Sequence, residues 1–428
     1  MDRRQFLLGS GAAWAAAGVA RPALATPSPD LTAWEGVQAL FDTDPRFLHF
    51  AGMLLASHPR PVREAIERHR RALDADPAAA VLGAGSDLEA KVRQRAAEYL
   101  KTAPELIALT DSTTMGLGLL YSGLDLVAGD EILYSAHEHY STRCALALRA
   151  SRDGVALRQV SLFDDIVRVT PEGLVQRLLA QIGAKTRALA VTWVHSATGL
   201  KLPVADLAAA LTAVNARRPP AERVLLCVDG VHGLGVEDID LPAMGCDFFA
   251  AGCHKWLLGP RGTGVLWGKE EAWPRLKPSI PTFDHATFMA WLEGRETSPS
   301  PRAWQVSPGG FHSFEHRWAL EAAFALHLHL GKARVAERIH TLLAQTREGL
   351  AKMPRITLAT PADPRLTAGI VCFDVAGTPP RDVVTRLRAQ GIIASVTPYA
   401  DMHARLAPSL LNSPHEVEQV LAALHDMT

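Results

Sequence analysis

A chain of 428 residues, 48% hydrophobic and 21% charged, is long enough for two domains with ample core and has the composition of a soluble enzyme. Its formal net charge of -1 excludes a broad basic surface for nucleic acid or acidic lipid. The five cysteines (Cys144, Cys227, Cys246, Cys253 and Cys372) are few, odd in number and mostly in apolar runs, so they read as buried thiols and not as a disulfide framework.

The chain opens with Arg3-Arg4, an apolar stretch from Phe6 to Ala20, and a small-x-small end at Ala23-Leu24-Ala25. That is a signal-peptide pattern, and the Arg-Arg-Gln-Phe-Leu run resembles a bacterial twin-arginine export signal. The apolar part is short and alanine-rich, which disfavours a membrane anchor. Losing Arg3, Arg4, Arg21 and Asp2 takes the net charge from -1 to about -3. The expected location is the periplasm, reached by twin-arginine machinery that carries proteins already folded.

Residues 26–45 read as an extended lead-in. The apolar segment 47–59 reads as a strand or loop lying over the body. Helices are expected over 60–76, where Val62, Ile66 and Leu73 share a face, and over 87–100. A short strand at 107–109 leads through Asp111-Ser112-Thr113-Thr114 into a helix from about Met115. A helix N-terminus after a strand can cradle a phosphate, and it can equally be a plain Ser/Thr cap. Residues 129–134 read as a turn and strand that deliver His137-Glu138-His139. With Glu138 between the two histidines and no third ligand nearby, zinc is disfavoured. A ring at a strand end can stack on a flat cofactor, or it can simply sit on a surface loop.

Buried strands are expected at 186–194 and 224–228, with a helix over 205–218 between them, as in a parallel sheet. Ligands of open α/β sheets bind beyond the carboxyl ends of the strands, and Thr113, His139, Thr198, Asp229 and His232 all fall at such ends. The next stretch holds Lys255 between an apolar run and Gly259-Pro260-Arg261-Gly262-Thr263-Gly264. It is either a lysine on a turn between strands, or an amine desolvated enough to form a Schiff base near neutral pH. Strand 264–267 closes the main sheet. Residues 270–312 are loop-rich, one long helix is expected over 314–351, and the rest reads as a compact α+β domain with strands at 369–373 and 392–396 and helices at 379–390 and 414–425.

The Asp229-x-x-His232 strand end, followed 26 residues after the aspartate by Lys255 within HKWLLGPRGTG, resembles the class V aminotransferase-fold enzymes that use pyridoxal 5′-phosphate. The body is similar to the isopenicillin N epimerase-like group within them. The resemblance covers roughly residues 47–425. It implies a type I fold: α/β, with a large domain built on a mainly parallel seven-stranded sheet and a small C-terminal α+β domain. The implied organisation is a signal at 1–25, a segment over the active site at 26–55, the large domain at 56–312, a linking helix at 313–351 and the small domain at 352–428.

The resemblance also implies roles. Lys255 would hold the cofactor as a Schiff base and then shuttle a proton at the substrate α-carbon through a quinonoid intermediate. Asp229 would pair with the pyridinium nitrogen, and His139 would stack on the ring. Thr113 and Thr114 would bind the phosphate with His254 close by. His232, where cysteine desulfurases commonly have glutamine, would sit near the ring hydroxyl, and Thr198 near the cofactor. Arg405 would fork onto a substrate carboxylate. A homodimer is implied, although Gly310, His312 and Ser313 stand where the partner usually reaches the phosphate and the usual Gly-Thr pair is absent. Cysteine desulfurases need a catalytic cysteine on a mobile C-terminal loop. Cys372 instead sits in a strand pattern, so sulfur transfer is disfavoured. The expected activity is on the amine of an amino acid or amino-acid-derived side chain, as a transferase or alternatively an epimerase or lyase. With the leader, the chain is similar to periplasmic enzymes that tailor the side chain of the siderophore pyoverdine.

Overall fold

A computed structural model of the protein describes residues 29–296 and 302–427. The leader and its cleavage site lie outside the described residues. Strand β1 is Leu48–His49, β2 Ile107–Thr110, β3 Glu131–Ser135, β4 Ala156–Val160, β5 Thr186–Thr192, β6 Leu225–Asp229, β7 Phe248–Gly252 and β8 Gly264–Gly268. Strands β9 Ile356–Leu358, β10 Val371–Val375, β11 Ile392–Ile393, β12 Ser395–Val396 and β13 Ala404–Leu406 follow.

The central sheet has seven strands in the order β2-β8-β7-β6-β5-β3-β4. All neighbours are parallel except around β8, which is antiparallel to both β2 and β7. The last strand of this sheet in sequence is thus not its edge. It enters between β7 and the first strand, because a loop of eleven residues is enough to turn the chain back antiparallel beside β7. β2, β6, β7 and β8 are buried throughout, because both faces of the sheet are covered. One apolar layer holds Leu109, Leu189, Val228 and Phe249, and the opposite layer holds Ala108, Ala190, Cys227 and Phe248, as alternation along a strand requires.

A four-stranded sheet, β12-β13-β10-β9, is antiparallel and packs with Leu343, Val383 and Val420 into a separate core. Three expectations change here. The stretch 313–351 is two helices, Phe314–Leu330 and Lys332–Ala351, and not one. Gly331 between them has φ +83°, a conformation that glycine tolerates and a helix does not continue through. The strand expected at 392–396 is divided: β12 joins the small sheet, whereas β11 pairs in parallel with β1 from the N-terminal segment. The lead-in is not wholly extended, since Trp34–Gln38 forms a short helix. Among the described residues no helix is long and apolar enough to cross a membrane.

Candidate active site

A cavity opens beyond the carboxyl ends of β2, β3, β5, β6 and β7, and the small sheet closes its far side. Its wall includes Thr113, Thr114, His139, Asp229, His232, His254, Lys255 and Arg405. Eight of the nine site residues singled out in the sequence therefore converge on one space. Met53 and Leu54 of the N-terminal segment border it, and Ala56 N donates to His254 O at 3.1 Å, which ties that segment to the lysine loop.

Thr198 is the exception. It sits in the turn after β5, where its Oγ1 accepts from Leu200 N at 3.3 Å, and it is not on the cavity wall. The turn carries the chain away, and Ser196, two residues earlier, and Thr192 at the strand end face the cavity instead. His137 does not join His139 in a ligand pair. It stacks on Phe163 with centroids 4.1 Å apart, and its Nε2 accepts from Leu162 N.

Ser112 caps the helix Thr113–Gly123 by accepting from Met115 N at 3.1 Å, and Gly116 N bonds Ser112 O, which leaves the backbone N–H groups of Thr113 and Thr114 for the cavity. Thr113 Oγ1 accepts from Gly252 N at 2.8 Å, so its own hydroxyl hydrogen remains free for an anion. A Cβ at Gly252 would lie 2.8 Å from the His254 ring and 2.9 Å from Thr113 Oγ1, so any larger residue there would push both out of place. Opposite this cradle, His139 caps the helix Tyr140–Asp153. Its Nδ1 accepts from Ser141 N at 3.2 Å and lies 2.6 Å from Ser141 Oγ.

Asp229 ends β6, fully enclosed, and accepts from Val231 N at 3.1 Å. Burial pushes its carboxyl up to about 6, with Lys255 pulling the other way. Lys255 Nζ lies 3.2 Å from His232 Nε2. Burial holds the lysine down at about 8, opposed by Asp229 and reinforced by Arg405. The lysine loop stores strain: Leu258, three residues on, has φ +62° and is buried. Leu258 N donates to Lys255 O at 3.0 Å and Gly259 N to Cys253 O at 2.8 Å, which holds the loop in that form.

Arg405 on β13 is 1% exposed. Its Nε donates to Ser395 Oγ at 3.0 Å, Nη1 to Ser196 O at 2.7 Å and Nη2 to Val396 O at 3.2 Å. All three partners are neutral, and two of the five guanidinium N–H groups remain for the cavity. Tyr399, reached through Pro398 after β12, bonds Ser196 Oγ at 2.8 Å and faces His139 edge-on. Ser196 and Tyr399 had no sequence signal, because neither lies in a pattern that differs from an ordinary loop. Cys372 lies on β10 directly across the ladder from Arg405, fully buried, and burial pushes its thiol up to about 12.

Glu138 is the residue whose role the sequence missed. It is buried behind His139, and accepts from Ser135 Oγ at 2.7 Å and Thr192 N at 3.1 Å on one oxygen and from Thr192 Oγ1 at 2.5 Å on the other. Burial, with Asp229 adding, pushes it up to about 7 against those hydrogen bonds. Native Glu138 keeps its proton up to about 7, whereas the unfolded chain releases it from about 4.5. The native state binds more protons within that window, so the group makes stability fall as pH rises through it. Glu138→Gln can keep the network, with its amide donating to Thr192 Oγ1. At pH 8 it is expected to stabilise the cofactor-free protein, by about 3 kcal/mol at most, with no gain at pH 4. Thermal midpoints at the two pH values check this; an equal shift at both would refute it.

The residues fit pyridoxal 5′-phosphate: a helix N-terminus and a free hydroxyl for the phosphate, a buried carboxylate for a ring nitrogen, a ring for stacking and a desolvated amine. That cofactor supplies an electron sink for a carbanion at the substrate α-carbon.

Comparison with known proteins agrees. The family model for aminotransferase class-V matches residues 56–398. An isopenicillin N epimerase of Amycolatopsis lactamdurans is 30% identical over 80% of this chain and 84% of the relative. That of Streptomyces clavuligerus is 28% identical over 92% and 98%. A cysteine desulfurase of Klebsiella pneumoniae is 26% identical over 78% and 80%. Among solved structures, the cystine C-S lyase C-DES with its product cysteine persulfide matches with TM-score 0.80 and 25% identity, covering 89% of this chain and 98% of that one. A Lys-to-Ala mutant of C-DES, with glycine covalently linked to its cofactor, matches at TM-score 0.81 and 24% identity, over 93% and 99%. The chain therefore belongs to the aminotransferase class-V family, and pyridoxal 5′-phosphate is its cofactor.

Proposed function

We propose that the protein acts at the α-carbon of an amino acid or amino-acid-derived unit, and that it removes the α-proton from one face and delivers a solvent-exchangeable proton to the other, as an epimerase. The observation that carries the reading is Arg405: a buried guanidinium with only neutral partners and two N–H groups left, on the same cavity wall as Lys255. A cation so placed has its counter-charge supplied by a ligand, and a carboxylate matches its fork. Lys255 would take and move the α-proton, Asp229 would hold the ring charge, and Arg405 with Ser196 and Tyr399 would fix the carboxylate. The isopenicillin N epimerases among the relatives favour epimerisation. Transamination needs the same first proton transfer and is the second reading, supported by the family to which the chain belongs. Sulfur transfer is disfavoured by the burial of Cys372.

The leader motif supports an exported enzyme of the periplasm, loaded with cofactor and folded before twin-arginine transport. Its substrate would then be an amine on a peptide-like product, such as the glutamate-derived side chain of pyoverdine. Exposed Phe283, Trp291, Leu292 and Phe311 support a homodimer, since an apolar group of this size is normally covered. The test is incubation of the loaded protein with candidate amino acids and siderophore precursors in heavy water. Solvent deuterium at an inverted α-carbon is the expected result. A keto product with conversion of the cofactor to its amine form would mean transamination. No α-exchange in any carboxylate-bearing amine would sink both. The same assay on separated periplasmic and cytoplasmic fractions tests the location.

A further inference from the structure

Two contacts beside the lysine determine where a proton sits. The indole nitrogen of Trp256 donates to His232 Nδ1 at 3.2 Å, and His232 Nε2 lies 3.2 Å from Lys255 Nζ. An indole N–H can only donate, so His232 Nδ1 accepts and carries no proton. An imidazole with a bare Nδ1 holds its one proton on Nε2. That N–H faces the lysine nitrogen. An ammonium has three donors and no acceptor, so it would set hydrogen against hydrogen, whereas the free amine has a lone pair to receive the bond.

We propose that Trp256 is a positioning residue that sets the tautomer of His232, and that His232 thereby holds Lys255 as the free, nucleophilic amine before cofactor is captured. Trp256 and His232 are 5% and 4% exposed, so solvent has little access to supply an alternative proton to the imidazole. Burial foremost, with the Arg405 guanidinium adding to it, disfavours the imidazolium that would defeat the arrangement. The other charged or titratable groups facing the lysine are Asp229 from β6, which favours the ammonium, Arg405 from β13, which opposes it, and His139 and His254, both kept towards neutral by burial. The tautomer thus adds to burial and Arg405 against Asp229. It concerns an amine of this chain alone, and stands whether the enzyme epimerises or transaminates.

The test uses the full chain freed of cofactor. Lys255 is labelled competitively with acetic anhydride across a pH series and read by peptide mass spectrometry, and uptake of pyridoxal 5′-phosphate is followed by its absorbance. In Trp256→Phe the half-labelling pH is expected to rise by about one unit, with uptake about tenfold slower below it, because Nδ1 is then free to take the proton. In a His232→Leu background, which has no polar atom for the indole to orient, the same Trp256→Phe change should move neither reading. An unchanged midpoint in a folded Trp256→Phe protein, or an equal shift in the His232→Leu background, overturns the proposal. Should Trp256→Phe fail to fold, the nitrogen-15 shifts of His232 in the unaltered protein decide: protonated Nε2 supports it, and protonated Nδ1 refutes it.

Discussion

Lys255→Ala is expected to abolish covalent capture of pyridoxal 5′-phosphate and to lower turnover by about 10³- to 10⁴-fold or more. Lys255 is the one lysine on the cavity wall among the described residues, and the imidazoles beside it, His232 and His254, cannot replace a primary amine. Lys255→Arg should be equally inactive, although it keeps the positive charge, because a guanidinium does not give up its proton in a protein. That pair of variants separates the need for a nucleophilic amine from the need for a cation. In the unaltered protein, capture should rise with pH around a midpoint near 8, where burial holds the lysine, and not near its ordinary value of 10.5. Borohydride-trapped cofactor, counted by mass spectrometry, measures capture. Turnover of Lys255→Ala within tenfold of the unaltered enzyme would remove the lysine from the mechanism.

Arg405→Met is expected to lower kcat/KM for a carboxylate-bearing amine by about 10²- to 10³-fold, through the loss of two charge-assisted hydrogen bonds. The same substitution should scarcely change the low activity on the matching amine that lacks the carboxylate, since there is nothing left to lose. Methionine keeps most of the buried stem and does not strand a charge; Ser395, Ser196 and Val396 each lose one donor. Arg405→Lys should recover only part of the loss, because an ammonium cannot fork onto two oxygens. Equal losses on both amines would mean that Arg405 supports the fold of the small sheet and not the substrate. Steady-state kinetics on the paired amines decide between these outcomes.

Lys255 and Arg405 differ in how the sequence announces them. Lys255 stands in HKWLLGPRGTG, where glycines, a proline and a strand on either side constrain one loop, so its place could be read locally. Asp229 and His232 were legible for the same reason, since the one ends and the other follows a strand of five buried residues. Arg405 lies on a three-residue strand in the small domain, and its meaning depends on Ser196 and Val396, which come from two different sheets or their margins. Thr198 shows the reverse failure. It stands at the right distance from a strand end, yet the turn points it back at Leu200. Glu138 could be weighed only as an argument against zinc, because its burial comes from β5, which follows it by some fifty residues.

By itself, the sequence determined the type of chemistry. Its strand-end residues and the lysine loop carried the resemblance to a family, and that resemblance carried the fold and the cofactor, because those motifs are set by neighbours along the chain. The tertiary structure decided what depends on distance across the chain. It placed β8 inside the sheet, broke the linking helix at Gly331, and exchanged Thr198 for Ser196 on the cavity wall. It also turned Trp256 onto His232 and left Arg405 buried with neutral partners. Proton positions and desolvation depend on which groups enclose a side chain, and those groups come from several elements that meet only when the two sheets close on one cavity.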